Sequence, residues 1–182
     1  LGSLRRGRMS GRSERVRVRD AALATPAGLL AFGLGAGLSP VAPGTAGTLV
    51  GMLLAFPLIA VPAWAGAVAV AIAFVTGVFV CDRVSRELGV HDHGGLVIDE
   101  IAGIWLVLLF VPPHWAWWLA AFALFRLFDI VKPWPIRWLD RRVGGGFGVM
   151  IDDAVAAGYA LAALALAGWV PGSLAASGAG LS

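Results

Sequence analysis

The chain is divided by long stretches without a formal charge. No Asp, Glu, Lys or Arg occurs from Ala21 to Cys81 (61 residues), from Ile101 to Phe125 (25 residues), or from Ala154 onward (29 residues). A helix crossing a bilayer needs about 20 mostly apolar residues, so the pattern predicts four to five spans. The clear ones are Thr48 to Val61, Ala65 to Val80, Leu96 to Val111, His114 to Ile130 and Val149 to Val170. Pro57 is expected to kink the first. Gly89 is expected to end a polar extension of the second, because glycine readily takes the left-handed conformation that closes a helix. Prolines separate the others at Pro62, at Pro112-Pro113 and at Pro133 and Pro135, each removing a backbone donor and restricting the residue before it. Gly144 to Gly146 reads as a flexible joint and Ile136 to Arg142 as a short surface helix.

Ala21 to Leu38 is apolar but glycine-rich, and Ser39 to Thr45 carries two prolines. This segment reads as re-entrant or interfacial rather than as a full span. Irregular backbone at membrane depth must be buried in protein or line a wet cavity. The expected fold is therefore all-α: a multi-pass membrane helical bundle with an interfacial N-terminal segment. Its organisation is a flexible basic arm over residues 1–20, one membrane-embedded catalytic domain over 21–170 and a flexible tail over 171–182.

Composition agrees. Apolar residues make up 59% and charged residues 14%, against about 45–50% and about 25% in soluble domains. An ordinary soluble enzyme, a disordered chain and a coiled coil are excluded. Cys81 is the sole cysteine, which excludes a disulfide within one chain. The pI near 10.0 belongs to the arm, where seven Arg face only Glu14 and Asp20, while the other 162 residues carry seven basic and nine acidic groups. Such an arm also suits nucleic acid, but placed just before apolar segments it reads as an anchor on anionic lipid. No nucleic-acid partner is expected. No obligate protein partner is evident, and oligomeric state is left open.

The tight turns near Pro62 and Pro112 must share one side of the membrane. The charged ends of the same spans, with Arg83, Arg86, Arg137, Arg141 and Arg142, lie on the other, which the positive-inside rule makes cytoplasmic. Four polar clusters converge there, and eight of the eleven acidic residues fall between Glu87 and Asp153. Asp99, Glu100, Asp129, Asp152 and Asp153 sit near the ends of apolar helices. Two like charges about 4 Å apart repel by about 4 kcal/mol at an effective dielectric of 20, so five carboxylates from three helices require a cation. All-oxygen ligands without thiolate suit Mg²⁺, with Mn²⁺ as the alternative, rather than zinc. Either acidic pair alone would also complement a helix N-terminus. Asp129 sits at the wrong end of its helix for that, though Arg126 three residues earlier can pair with it. His91 and His93 are candidate ligands or loop residues, and Ser39 and Thr45 are better explained by capping than as nucleophiles. Lys132, the single lysine, joins Arg126, Arg137, Arg141 and Arg142 as anion-binding groups. Carboxylates for a metal beside cations for an anion, at a lipid-accessible level, describe phosphoryl chemistry on a lipid head group.

The motifs Leu38-Ser-Pro-Val-Ala-Pro-Gly-Thr45, His91-Asp-His-Gly94, Asp99-Glu100, Phe128-Asp-Ile-Val-Lys-Pro-Trp-Pro-Ile-Arg137 and Gly148-Val-Met-Ile-Asp-Asp153 resemble the phosphatidylglycerophosphatase A family, over roughly Leu29 to Val170. The resemblance implies a Mg²⁺-dependent phosphatase of the bacterial inner membrane, its active site facing the cytoplasm. It would remove the terminal phosphate of phosphatidylglycerophosphate to give phosphatidylglycerol. It carries acidic motif positions onto Asp99, Glu100, Asp129, Asp140, Asp152 and Asp153 as the metal set, and basic ones onto Lys132 and Arg137. The expected catalytic group is Asp99, Asp129, Asp152, Asp153 and Lys132; the expected phosphate contacts are Lys132, Arg137, Arg126, Arg141, Thr45 and His93.

Two rivals remain. A CDP-alcohol phosphotransferase would also place carboxylates on spans, but its Asp-Gly-x₂-Ala-Arg core is absent. An ion- or proton-coupled transporter would use intramembrane carboxylates nearer the midplane. No Cys-x₅-Arg loop follows Cys81, which argues against a thiol phosphatase. Cys81→Ser is accordingly expected to keep turnover within about twofold of the parent, and thiol-blocking reagents to inhibit little. Phosphate-release assays on both proteins check this, and complete loss in the serine variant would reopen a thiol mechanism.

Overall fold

The computed structural model describes residues 11–89 and 93–167. His91, part of the arm and the tail lie outside the described residues. Helices account for all the regular structure among the described residues: α1 (Gly11–Leu23), α2 (Pro26–Ala31), α3 (Pro43–Leu54), α4 (Ala63–Leu88), α5 (Ile98–Leu108), α6 (Trp115–Val131), α7 (Ile136–Arg142) and α8 (Gly145–Leu166), with 3-10 turns over Gly33–Leu38 and Phe56–Ala60.

Among the described residues, three helical stretches are long and apolar enough to cross a membrane: Pro43–Ala60, Ala63–Leu88 and Gly145–Leu166. The first is interrupted near Pro57, where α3 gives way to a 3-10 turn. The expected third and fourth spans are helical but shorter. At 1.5 Å per residue, the 11 residues of α5 and the 17 of α6 reach only about 16 and 26 Å, against a hydrocarbon core of about 30 Å. The segment from Ala21 to Leu38 is broken into the end of α1, the six-residue α2 and a 3-10 turn in which Leu34 and Gly35 leave helical geometry. No piece of it is long enough to span.

Two elements depart from the expected boundaries. Residues 11–20, read as part of a flexible arm, are helical, and Arg17 Nη2 donates to the Glu87 carbonyl at the end of α4 (2.6 Å). The glycine joint is the first turn of α8 instead. Gly146 lies so close to α4 that a Cβ would collide with the Val78 carbonyl, and a Cβ on Gly148 would collide with the Val143 carbonyl. These glycines are there for close approach, not for freedom.

α8 is the central helix and packs on α4, α5, α6 and α7. Its inner face is built from small residues, Ala156, Ala157 and Ala160, fully buried against Ile104, Val107 and Phe125. In lipid there is little hydrophobic drive between helices, so small residues that allow close van der Waals contact carry the packing. A second cluster seats Ala22, Ala31 and Phe32 of the N-terminal segment on Cys81 and Val84 of α4. Large apolar side chains point outward instead: Val68, Ile72, Val75 and Phe79 form an exposed stripe along α4, the arrangement a lipid-facing surface requires.

The α4–α8 contact is open to test. Gly146→Val is expected to lower stability by about 1–3 kcal/mol through overpacking against rigid backbone. Gly158→Ala, whose added Cβ would meet nothing within 4 Å, should hold or raise it by up to about 1 kcal/mol. Thermal denaturation of both variants in detergent reads the difference; equal behaviour would remove the close-approach argument.

Candidate active site

The helix ends that carry charge meet at one end of the bundle. α4 finishes there, closed by Gly89 in the left-handed conformation with its N–H on the Ser85 and Arg86 carbonyls. α3, α5 and α8 begin there, and α6 ends there. Between them lies a cavity of about 130 Å³ lined by Asp99 and Glu100 of α5, Asp129 of α6, Asp140 of α7, and Asp152 and Asp153 of α8, with Lys132 at the α6–α7 turn. All six carboxylates of the expected metal set thus face one space.

Two cations organise them. Arg126 Nη1 is 2.6 Å from Asp129 Oδ2 and 3.7 Å from Glu100 Oε1, so one guanidinium ties α6 to α5. Its side chain is only 13% exposed, and at that burial an ion pair is a packing constraint rather than a surface ornament. Lys132 Nζ donates to Asp140 Oδ1 (2.8 Å) and to Asp152 Oδ2 (3.1 Å), tying the turn to α7 and α8. Lys132 reaches both because it caps α6 in a left-handed conformation, φ 45°, which reverses the chain before Pro133. Burial alone would favour the neutral amine of Lys132, but its hydrogen bonds to Asp140 and Asp152 outweigh this and hold its proton affinity well above the ordinary value. The same bond from Lys132 holds the Asp140 carboxyl below its ordinary value.

The carboxylates outnumber these partners. One oxygen each of Glu100, Asp152 and Asp153 is buried without a hydrogen-bond partner. Buried polar atoms are almost always satisfied, so anionic oxygens left without partners in one cavity could serve as ligands to a cation. Oxygens of Asp99, Glu100 and Asp153 all lie within 4.8 Å of one another, close enough to share one ion. An oxygen-only donor set fits Mg²⁺ or Mn²⁺.

Of the residues expected at the phosphate, Lys132 lines this cavity. Arg126 lies behind Glu100 and Asp129 and is engaged with both. Arg137 and Arg141 line a separate groove on the far side of Lys132. Thr45 sits in the first turn of α3 and does not line the cavity. His93 faces another pocket, between the Leu38–Pro43 segment and the loop before α5, and its Nδ1 accepts the Gly95 N–H (3.1 Å). Ser39 is bonded within its own loop, donating to the Val41 carbonyl.

Sequence reasoning missed Gly44. A Cβ there would run into Glu100 Oε1 and lie about 3 Å from the Arg126 guanidinium nitrogens. The start of α3 is therefore the back wall of the Arg126–Glu100 pair. Its signals in the sequence were the Pro43-Gly44 dipeptide and its place in the Leu38–Thr45 motif, with nothing to say what it faces.

Comparison with known proteins shows the family. The profile of phosphatidylglycerophosphatase A matches residues 29–168. The chain belongs to the phosphatidylglycerophosphatase A family. It is 44% identical over 135 residues to the phosphatidylglycerophosphatase A of Escherichia coli strain K12, covering 74% of this chain and 78% of that one. It is likewise 44% identical over 146 residues to the phosphatidylglycerophosphatase A of Haemophilus influenzae, covering 79% and 90%. A relative from Bacteroides thetaiotaomicron, 39% identical over 153 residues and covered to 94%, is described as a putative phosphatidylinositol-3-phosphatase. No solved structure matches the chain. Membership of the phosphatidylglycerophosphatase A family makes the chain a phosphatase and its cavity the candidate active site.

Gly44→Ala tests the back wall. The atoms it meets belong to the Glu100 and Arg126 side chains rather than to backbone, so the fold should survive, at a cost of about 1–3 kcal/mol for overpacking a buried pair. Displacing Glu100 by a fraction of an ångström is expected to lower phosphatase activity at least tenfold, since misplacements near 1 Å can cost about a hundredfold. Activity and melting temperature measured together check it.

Proposed function

We propose that the protein is a Mg²⁺-dependent phosphatase that removes the terminal phosphate of phosphatidylglycerophosphate, leaving phosphatidylglycerol and inorganic phosphate. The observation that carries this reading is the set of carboxylates from three apolar helices, joined by Asp140 and by Lys132, around a cavity with orphaned anionic oxygens. In a chain of this family, that set matches what cleavage of a phosphomonoester on a lipid requires. The protein would sit in the bacterial inner membrane, with the carboxylate end of the bundle facing the cytoplasm.

The residues divide the task. Asp99, Glu100 and Asp153, whose oxygens converge, would hold the ion, with Asp129 and Asp152 at its flanks. Bound there, the cation would offset the carboxylate charge and draw electron density from the phosphoryl group. Lys132 is a compact point charge suited to one phosphoryl oxygen, and Asp140 and Asp152 keep it protonated and aimed at the cavity. Arg126 fixes Asp129 and Glu100 from behind and need not touch substrate. In the overall reaction water adds to phosphorus, the bond from phosphorus to the glycerol oxygen breaks, and that oxygen takes up a proton.

The transporter alternative has less support, because Asp99, Glu100 and Asp129 lie in the first or last turn of their helices, and Asp152 and Asp153, two turns into α8, face them from the nearer half of that helix. The names of the relatives differ in lipid, but each denotes a phosphatase of a phosphatidyl lipid.

The test is phosphate release from phosphatidylglycerophosphate in detergent micelles, with Mg²⁺ and after chelation. Chelation should abolish release, and Mg²⁺ should restore it. Asp152→Asn and Asp153→Asn should each lose at least about a hundredfold in activity while staying folded. Full activity with unchanged Mg²⁺ dependence in both variants would sink the assignment.

A further inference from the structure

The groove on the far side of Lys132 has the opposite electrical character from the cavity. Its volume is about 490 Å³, nearly four times that of the cavity, and its charged lining is Lys132, Arg137, Arg141 and Arg142 without an acidic residue. The apolar walls are Trp134, 79% exposed, and Trp138, 48% exposed. Helix α7 divides the two spaces. It turns Asp140 toward Lys132 and the cavity, and Arg137, Arg141 and Arg142 toward the groove.

The groove is built rather than incidental. Arg137 Nη2 donates to the Val131 carbonyl (3.3 Å), and the Arg142 guanidinium lies over the Trp138 ring, 5.5 Å from its centre. Tyr159 of α8 donates to the Trp134 carbonyl (2.8 Å), pinning the groove wall to the bundle. The guanidiniums retain donors beyond these contacts, and a guanidinium fork matches two oxygens of one phosphate.

A cavity near 130 Å³ is similar in size to one of about 150 Å³ that takes a single benzene molecule. It accommodates a phosphoryl group beside an ion, not a whole head group. The remainder of a lipid substrate must leave past Lys132, the one charged residue that lines both spaces. We propose that the Arg137–Arg141–Arg142 groove binds a second phosphate of the same substrate, the phosphodiester that joins its head group to diacylglycerol. The enzyme thereby selects lipids that carry a phosphomonoester and a phosphodiester together. This rests on the proposed phosphatase activity and adds to it a basis for specificity.

Anionic charge near the groove also comes from bulk membrane lipid, and the experiment separates the two sources. Arg137→Gln and the double variant Arg141→Gln/Arg142→Gln are assayed in neutral detergent micelles on phosphatidylglycerophosphate and on phosphatidate, which carries a monoester and no diester. Where phosphatidate turns over too slowly, its inhibition constant is measured instead. The expected result is at least a tenfold fall in the preference for phosphatidylglycerophosphate over phosphatidate, with the loss expressed mainly in KM. Arg83→Gln and Arg86→Gln, exposed arginines of α4 outside the groove, should keep the parent's preference. An equal loss on both lipids would mean general membrane contact or damage to the Lys132 turn, and would overturn the inference. An unchanged preference in both groove variants would overturn it too. Failure of the parent enzyme to release phosphate from phosphatidylglycerophosphate would overturn the proposed function itself, and this inference with it.

Discussion

The structure depends on keeping six carboxylates together at the end of an apolar bundle with only two cations among them. Like charges about 4 Å apart repel by about 4 kcal/mol at an effective dielectric of 20, and lipid on the outside allows no easy escape to water. Arg126 and Lys132 relieve the strain in different places. Arg126 works from behind, between Glu100 and Asp129, and locks α5 to α6. Lys132 works from the mouth and locks the α6–α7 turn to α8. Loss of one partner from a buried pair leaves an uncompensated charge, typically destabilising by about 3–5 kcal/mol. The residual orphaned oxygens are what these two cations leave over, and they are the part of the charge that a divalent ion would balance.

The backbone is bent to make this possible. Lys132 adopts a left-handed conformation that a β-carbon disfavours, as does Ala42 just before α3. Both stand immediately before a proline, which resists the helical conformation in the residue ahead of it. Pro43 then opens α3 at a position where a missing N–H has no helical partner to lose. The prolines therefore do more than interrupt spans: they set the angles at which α3 and α7 approach the carboxylates. At Lys132 the result is a side chain folded back on α8 rather than extended along the axis of α6.

Much of this was legible in the chain. Acidic residues inside apolar runs stand out because they are expensive there, so five of the six carboxylates and the end of the bundle they share followed from spacing, and Asp140 from the family resemblance. The interruption near Pro57 and the helix ends at Gly89 and before Pro112 followed from local backbone chemistry. Facing was not legible. Arg126 and Arg137 carry the same charge on neighbouring turns of chain, yet one is enclosed behind Glu100 and the other is exposed in a groove, because the reversal at Lys132 rotates everything after it. Thr45 and His93 belong to motifs shared with the family, but their positions relative to the cavity depend on tertiary placement of α3 and of the loop before α5. The helix over residues 11–20 was hidden by its charge, since its visible tether is a bond from Arg17 to a carbonyl 70 residues away. Gly44 and Gly146 were misread or passed over for the same reason: the atoms that exclude a side chain at each come from another helix.

Those glycines also explain how a charged site survives in a small membrane bundle. The frame around it is not held by large interlocking side chains, which mostly face outward along α4. It is held by close approach at glycines, with the Gly146 backbone against the Val78 carbonyl and the Met150 side chain seated on Gly77, and by the alanine face of α8. Close packing of this kind leaves the helices little room to slide or splay. A looser bundle would let α5 and α8 separate and relieve the repulsion between Glu100 and Asp153 by moving the carboxylates apart. Because that relaxation is blocked, the repulsion remains available to be relieved by a bound cation. The packing that lipid demands of the helices is thus also what preserves the binding potential of the site.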